Sequence, residues 1–174
     1  MKTSRKFILA LITGAAPIMG IAIGLIVYWR IQSRLPHEIE SILDRAESLE
    51  LLSIDPTFLN LKEQPPGVEV FHHYRVLGKT TIVDGTAKRD LIAALNRSIA
   101  ESLGRGMKCF NPRHAIRAVY NGQTADLLIC FQCENLEIHL NGTQLPMKEI
   151  SRAEQPVFDH VLTGANIALA SRDY

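Results

Sequence analysis

The spacing of hydrophobic and polar positions changes repeatedly along the chain, and each change marks an expected element. From Phe7 to Trp29, FILALITGAAPIMGIAIGLIVYW runs 23 residues without a charge. At 1.5 Å per residue such a helix spans about 34 Å, enough for a bilayer core. In LPHEIESILDRAESLELLSIDP, Ile39, Ile42, Leu43, Ala46 and Leu49 recur at helical spacing behind Pro36, which predicts an amphipathic helix over 37–52 ended by Asp55 and Pro56. KEQPPG, residues 62–67, reads as a linker. VEVFHHYRVLGKTTIVD, from Val68, has the β-branched and aromatic content of one or two strands, with a bulge or bend at Gly78. Asp84 or Thr86 then caps a helix whose apolar face is Leu91, Leu95, Ile99 and Leu103, and Gly104 and Gly106 stop it.

The second half alternates with period two. KCFNPRHAIRAVY and QTADLLICFQC are strand-like runs joined across Asn121 and Gly122, the dipeptide preferred at the tip of a two-residue hairpin. NLEIHL follows with Leu136, Ile138 and Leu140 facing in and Glu137 and His139 facing out, and Asn141 with Gly142 turns the chain again. A last helix starts either with a Ser151/Glu154 capping box or near Gln155, carries Val157, Phe158, Val161 and Leu162, and closes at Gly164. The expected fold class is α+β: a single N-terminal transmembrane helix followed by a small domain with an antiparallel sheet packed by helices. The expected divisions are a cytoplasmic N-terminus (1–6), the span (7–29), a juxtamembrane amphipathic helix and linker (36–66) and a soluble α+β domain (67–174).

Charge refines this picture at the N-terminus. MKTSRK would suit a signal peptide, but the apolar run exceeds the usual h-region of about 7 to 15 residues and ends in YWR without an A-x-A-like site, which favours a retained anchor in the lipid bilayer. Lys2, Arg5, Lys6 and the terminal amine before the span slightly outweigh Arg30, Arg34 and Arg45 after it, placing the domain on the extracytoplasmic side of the cell membrane. Ala16, Gly20 and Gly24 recur every four residues, a spacing that suits a homodimer face or a passive anchor. A net charge of +1 offers no electrostatic case for nucleic acid.

With Asn121 and Gly122 as the loop, Tyr120 opposes Gln123, Arg117 opposes Asp126, Ala115 opposes Leu128 and Arg113 opposes Cys130. This register puts Arg113, Arg117 and Asp126 on one polar face, a candidate binding surface, with Arg117 and Asp126 most simply a cross-strand ion pair. His114 falls on the apolar face, where a core histidine is the simpler reading. Cys130 and Cys133 leave opposite faces of a continuous strand, so no disulfide is expected unless the strand breaks at Gln132. All three cysteines are therefore expected to be unbridged and metal-free, with Cys130, beside Arg113, the reactive thiol candidate. A zinc reading would instead take Cys109, His114, Cys130 and Cys133.

LLSIDP, YRVLGKTTI, CFNPRHAIR, DLLICFQC and QPVFDHVL together resemble segments of a group of bacterial membrane-anchored or secreted proteins, across roughly residues 50–170. The resemblance implies a bacterial origin and one domain, and it brings no activity, cofactor or catalytic residue. Two readings of function follow. One is a non-enzymatic domain that binds a protein or small ligand through the face bearing Arg113, Arg117 and Asp126. The other is a thiol- or zinc-dependent enzyme or redox protein using Cys130 or the cysteine–histidine set.

Overall fold

The computed structural model describes residues 33–60 and 66–171, which fall almost wholly in the compact unit that begins at Leu35. The described elements are α1 (His37–Arg45), β1 (Ser48–Phe58), β2 (Val70–Phe71), β3 (Tyr74–Thr81), α2 (Gly85–Ala100), β4 (His114–Tyr120), β5 (Gln123–Cys130), β6 (Asn135–Leu140), β7 (Thr143–Gln144), β8 (Lys148–Glu149), a 3-10 turn (Arg152–Glu154) and α3 (Gln155–Gly164). The strands form one antiparallel sheet in the order β2-β3-β1-β4-β5-β6-β7, with β8 pairing β6 beside β7.

Local chemistry accounts for most boundaries. Asn121 and Asn141 adopt φ of 48° and 50°, and Gly122 and Gly142 of 73° and 80°, the left-handed pair that closes a two-residue hairpin without splaying its strands. The expected β4–β5 register holds from Tyr120↔Gln123 to His114↔Ile129. Asp84 caps α2 by accepting from Thr86 N and Ala87 N. Gly78 sits where the β1–β3 register shifts, since Ser53 opposes Gly78 while Ile54 opposes Val76. Both expected starts of the last helix are used in turn. Ser151 Oγ accepts from Ala153 N at 3.2 Å to cap the 3-10 turn, and α3 proper begins at Gln155.

The main core lies between one face of the sheet and the three helices. It includes Ile39, Ile42 and Leu43 of α1, Leu91, Leu95 and Ile99 of α2, Phe158 and Leu162 of α3, and Leu49, Leu51, Ile116, Leu127, Ile129, Leu136 and Ile138 of the strands. A smaller cluster of Leu52, Ile54, Phe71, Tyr74, Ala115 and Leu128 covers the opposite face.

Several expectations are corrected. The fold class paired an α+β domain with a transmembrane helix, but no helix among the described residues is long and apolar enough to cross a membrane. The expected span at 7–29, with Ala16, Gly20 and Gly24, lies outside the described residues, so the single-pass anchor and the placement resting on it are not carried forward. The juxtamembrane helix expected within 36–66 is not an appendage to the domain, while most of the expected linker lies outside the described residues. α1 stops at Arg45 with Ile39, Ile42 and Leu43 in the core, and Ser48–Phe58 becomes the strand between β3 and β4. Leu49 and Leu51 pack toward the helices while Leu52 and Ile54 pack on the other face. A strand buried on both faces loses clean alternation, and over so short a run it cannot be told from a helix by periodicity.

A candidate cleft beside a disulfide

β5 ends at Cys130, and Phe131–Glu134 turn the chain into β6, with Glu134 at φ 57°. That turn swings Cys133 back toward the segment before β4, where it forms a disulfide with Cys109 across a Cα separation of 5.7 Å. The expectation of three unbridged cysteines is therefore corrected. It assumed a continuous strand, and the strand breaks where a bridge requires it to.

The disulfide ties together two walls of a cleft of about 270 Å³. Asn111, Arg113 and His114 form one wall and Phe131 and Gln132 the other, while Arg152 and Gln155 close it from the start of α3. His114, buried on the helix face of β4, lies with Nε2 2.8 Å from Oδ1 of Asp159 on α3. Gln155 Nε2 donates to the other Asp159 oxygen at 3.4 Å. Phe131 and Phe158 meet the imidazole edge to face at 5.5 and 6.0 Å, holding the ring in place.

Arg113 is 9% exposed. Its Nε donates to Ser171 O at 2.8 Å and its Nη1 to Gln132 Oε1 at 2.6 Å, while Nη2 is buried with no hydrogen-bond partner among the described residues. Arg152 stands at the rim, with Nε 2.9 Å from Glu134 Oε1.

No family model, no curated protein and no solved structure matches the chain. Chemistry is therefore read from the residues themselves.

Arg113, Arg117 and Asp126, expected on one binding face, are not brought together as a site. Arg117 donates to Asp126 through Nε at 2.8 Å and Nη2 at 2.7 Å, and His72 Nε2 approaches the same carboxylate at 3.0 Å. Asp126 thus accepts three hydrogen bonds. Burial by itself would raise its pKa, but the hydrogen bonds from Arg117 and His72 prevail and hold the carboxyl below the usual carboxylate range. Phe71 packs under the Arg117 guanidinium at 4.8 Å. His72 reaches this place from the β2–β3 turn, where its φ of 54° aims the ring inward onto His139 at 4.1 Å. His139, expected to face solvent, is consequently buried, and its Nε2 lies 2.6 Å from Glu137 Oε1. Nearby, burial and then the Glu137 charge push the Tyr74 hydroxyl up to about 12. These contacts describe a closed polar cluster that fastens β2 and β3 over the sheet.

Cys130, the expected reactive thiol, is 1% exposed. Burial pushes its thiol up, against the N–H groups of Asn111 and Cys133 that donate to Sγ at 3.3 and 3.2 Å. The zinc alternative is corrected too. Cys109 and Cys133 are consumed by the bridge, His114 is committed to Asp159, and no group of three or more metal-binding side chains is assembled among the described residues. Thiol titration of the native, unreduced chain should accordingly find no reactive group; denaturant should expose one, and reduction all three. Prompt native labelling of Cys130 would show that the turn opens readily.

Sequence reasoning found Arg113 and His114 but missed Asp159, Gln132, Arg152 and Gln155. Asp159 carries no local signal, because its partner His114 lies 45 positions away. The CFNPRH and CFQC segments were the available signal, since together they supply five of the seven lining residues.

Proposed function

We propose that the chain is a non-enzymatic binding domain of an oxidising, extracytoplasmic compartment, and that it takes a small polar ligand in the cleft between the start of β4 and the start of α3. The observation that carries this reading is the convergence of polar side chains from three separate segments on a cleft whose walls are pinned by a disulfide. Polar groups held at fixed positions around a small concavity provide orientation and specificity. The volume of about 270 Å³ lies below the roughly 300 Å³ at which drug-sized pockets begin, so the ligand is small.

The absence of enzymatic activity is argued from the lining. Asn111, Arg113, His114, Phe131, Gln132, Arg152 and Gln155 include no hydroxyl, thiol, amine or carboxylate nucleophile. Ser53, opposite His114 in the sheet, is fully buried. The disulfide supports the compartment, because such bonds persist where thiols are not kept reduced.

An NMR screen of small polar compounds against the full chain tests the reading. Binders should move the amide signals of Asn111, Gln132 and Gln155 and be recovered unchanged. Chemical conversion of a binder would point to an enzyme, and shifts confined to Arg117, Asp126 and His72 would move the site to the other face of the sheet.

A further inference from the structure

Among the described residues, the cleft holds a buried cation with no counter-ion. Arg113 forms no ion pair among the described residues, and its two hydrogen bonds go to neutral acceptors, the Ser171 carbonyl and the Gln132 side-chain amide. Burying a charge without a partner is costly, and a guanidinium is permanently charged, so deprotonation offers no relief. Nη2 is buried, without a partner among the described residues, and part of a side chain that lines the cleft.

Resting on the binding role given above, we infer that the cleft recognises an oxyanion, a carboxylate or phosphate group, with Arg113 Nη2 as its central donor. The surroundings suit that chemistry. Ser171 and Gln132 hold the guanidinium at its other nitrogens, so the Nη2 donor is fixed in direction before a ligand arrives. Arg152 adds a second cation at the rim, and its Glu134 partner engages Nε, leaving the terminal nitrogens for a ligand. Asn111 and Gln155 contribute side-chain amides that can donate to the same oxygens. The carboxylates described close to the cleft are engaged, Asp159 by His114 and Gln155 and Glu134 by Arg152, which offsets their repulsion of an incoming anion. Charge-assisted bonds from a pre-positioned arginine are about twice as strong as neutral ones, so charge on the ligand should dominate recognition.

Titration of the full chain with acetate, inorganic phosphate and acetamide, the neutral counterpart of acetate, tests this inference. Acetate or phosphate should bind saturably, and acetamide at least about tenfold more weakly. Arg113→Gln should lose about tenfold or more of the anion affinity, and Arg152→Ala about two- to threefold, as expected for an exposed rim charge. Because Arg113→Gln removes contacts to Ser171 and Gln132 and could disturb the fold, the guanidinium resonances of Arg113 in the unaltered chain supply a second measurement, and they should shift as either anion saturates. Acetamide binding as tightly as acetate would overturn the oxyanion inference while leaving the binding cleft standing. Anion binding that leaves the Arg113 resonances unmoved would overturn it as well. If none of the probes or the screened compounds bound to the folded chain, the binding role itself would fall.

Discussion

Replacing both Cys109 and Cys133 by serine should lower the unfolding free energy by about 3.5 kcal/mol, the largest effect expected of any change at the cleft. The bridge closes a loop with a sequence separation of 24 residues that contains all of β4 and all of β5. Its loss restores chain entropy to the unfolded state, and the melting temperature should drop by about 10 °C. The double replacement is the right variant, since removing Cys109 alone would leave Cys133 free beside Cys130. Urea unfolding of both chains without reductant measures the difference. A midpoint shift equivalent to less than about 1 kcal/mol would mean that the turn at Phe131–Glu134 is held mainly by its other contacts. Ligand affinity should fall more steeply than stability alone requires, because Asn111 and Arg113 on one wall and Phe131 and Gln132 on the other are registered by this bond.

Asp126→Asn should cost about 2 to 3 kcal/mol, the second largest effect. Asp126 is 5% exposed and accepts from Arg117 twice and from His72, so a neutral amide forfeits charge-assisted bonds and turns an NH2 group toward a guanidinium. Arg117 is half-exposed and can find water, which keeps the cost below that of a fully buried pair. The sign of the pH dependence follows from the depressed carboxyl. Its contribution is complete above the unfolded aspartate value of about 3.9 and disappears as pH falls through the lower folded value. Stability of the unaltered chain should thus decline steeply below about pH 4, and the Asn variant should lose this component of the slope. Parallel curves for the two proteins across that range would show that the Arg117–Asp126–His72 cluster contributes little.

What the sequence determined by itself was local. Asn121–Gly122 and Asn141–Gly142 demanded left-handed turns, which set the β4–β5 register and with it the Arg117–Asp126 pair. Asp84 marked the start of α2, and Leu91, Leu95 and Ile99 identified its buried face. Each of these depends on residues a few positions apart or across a tight hairpin, so period and turn chemistry suffice to reveal them.

Tertiary structure decided the remainder because the contacts involved are long in sequence and short in space. Ser48–Phe58 has a pattern that serves helix or strand, and only partners on both sides, β3 and β4, make it a strand. Cys133 meets Cys109 because four residues after β5 turn rather than continue the ladder, and the same turn delivers Gln132 to Arg113. Asp159 meets His114 because α3 packs on the sheet through Phe158, the residue beside it. The cleft is thus made by side chains from separate segments whose proximity no local pattern encodes. The buried guanidinium of Arg113 becomes visible as a site only once packing has excluded water from it.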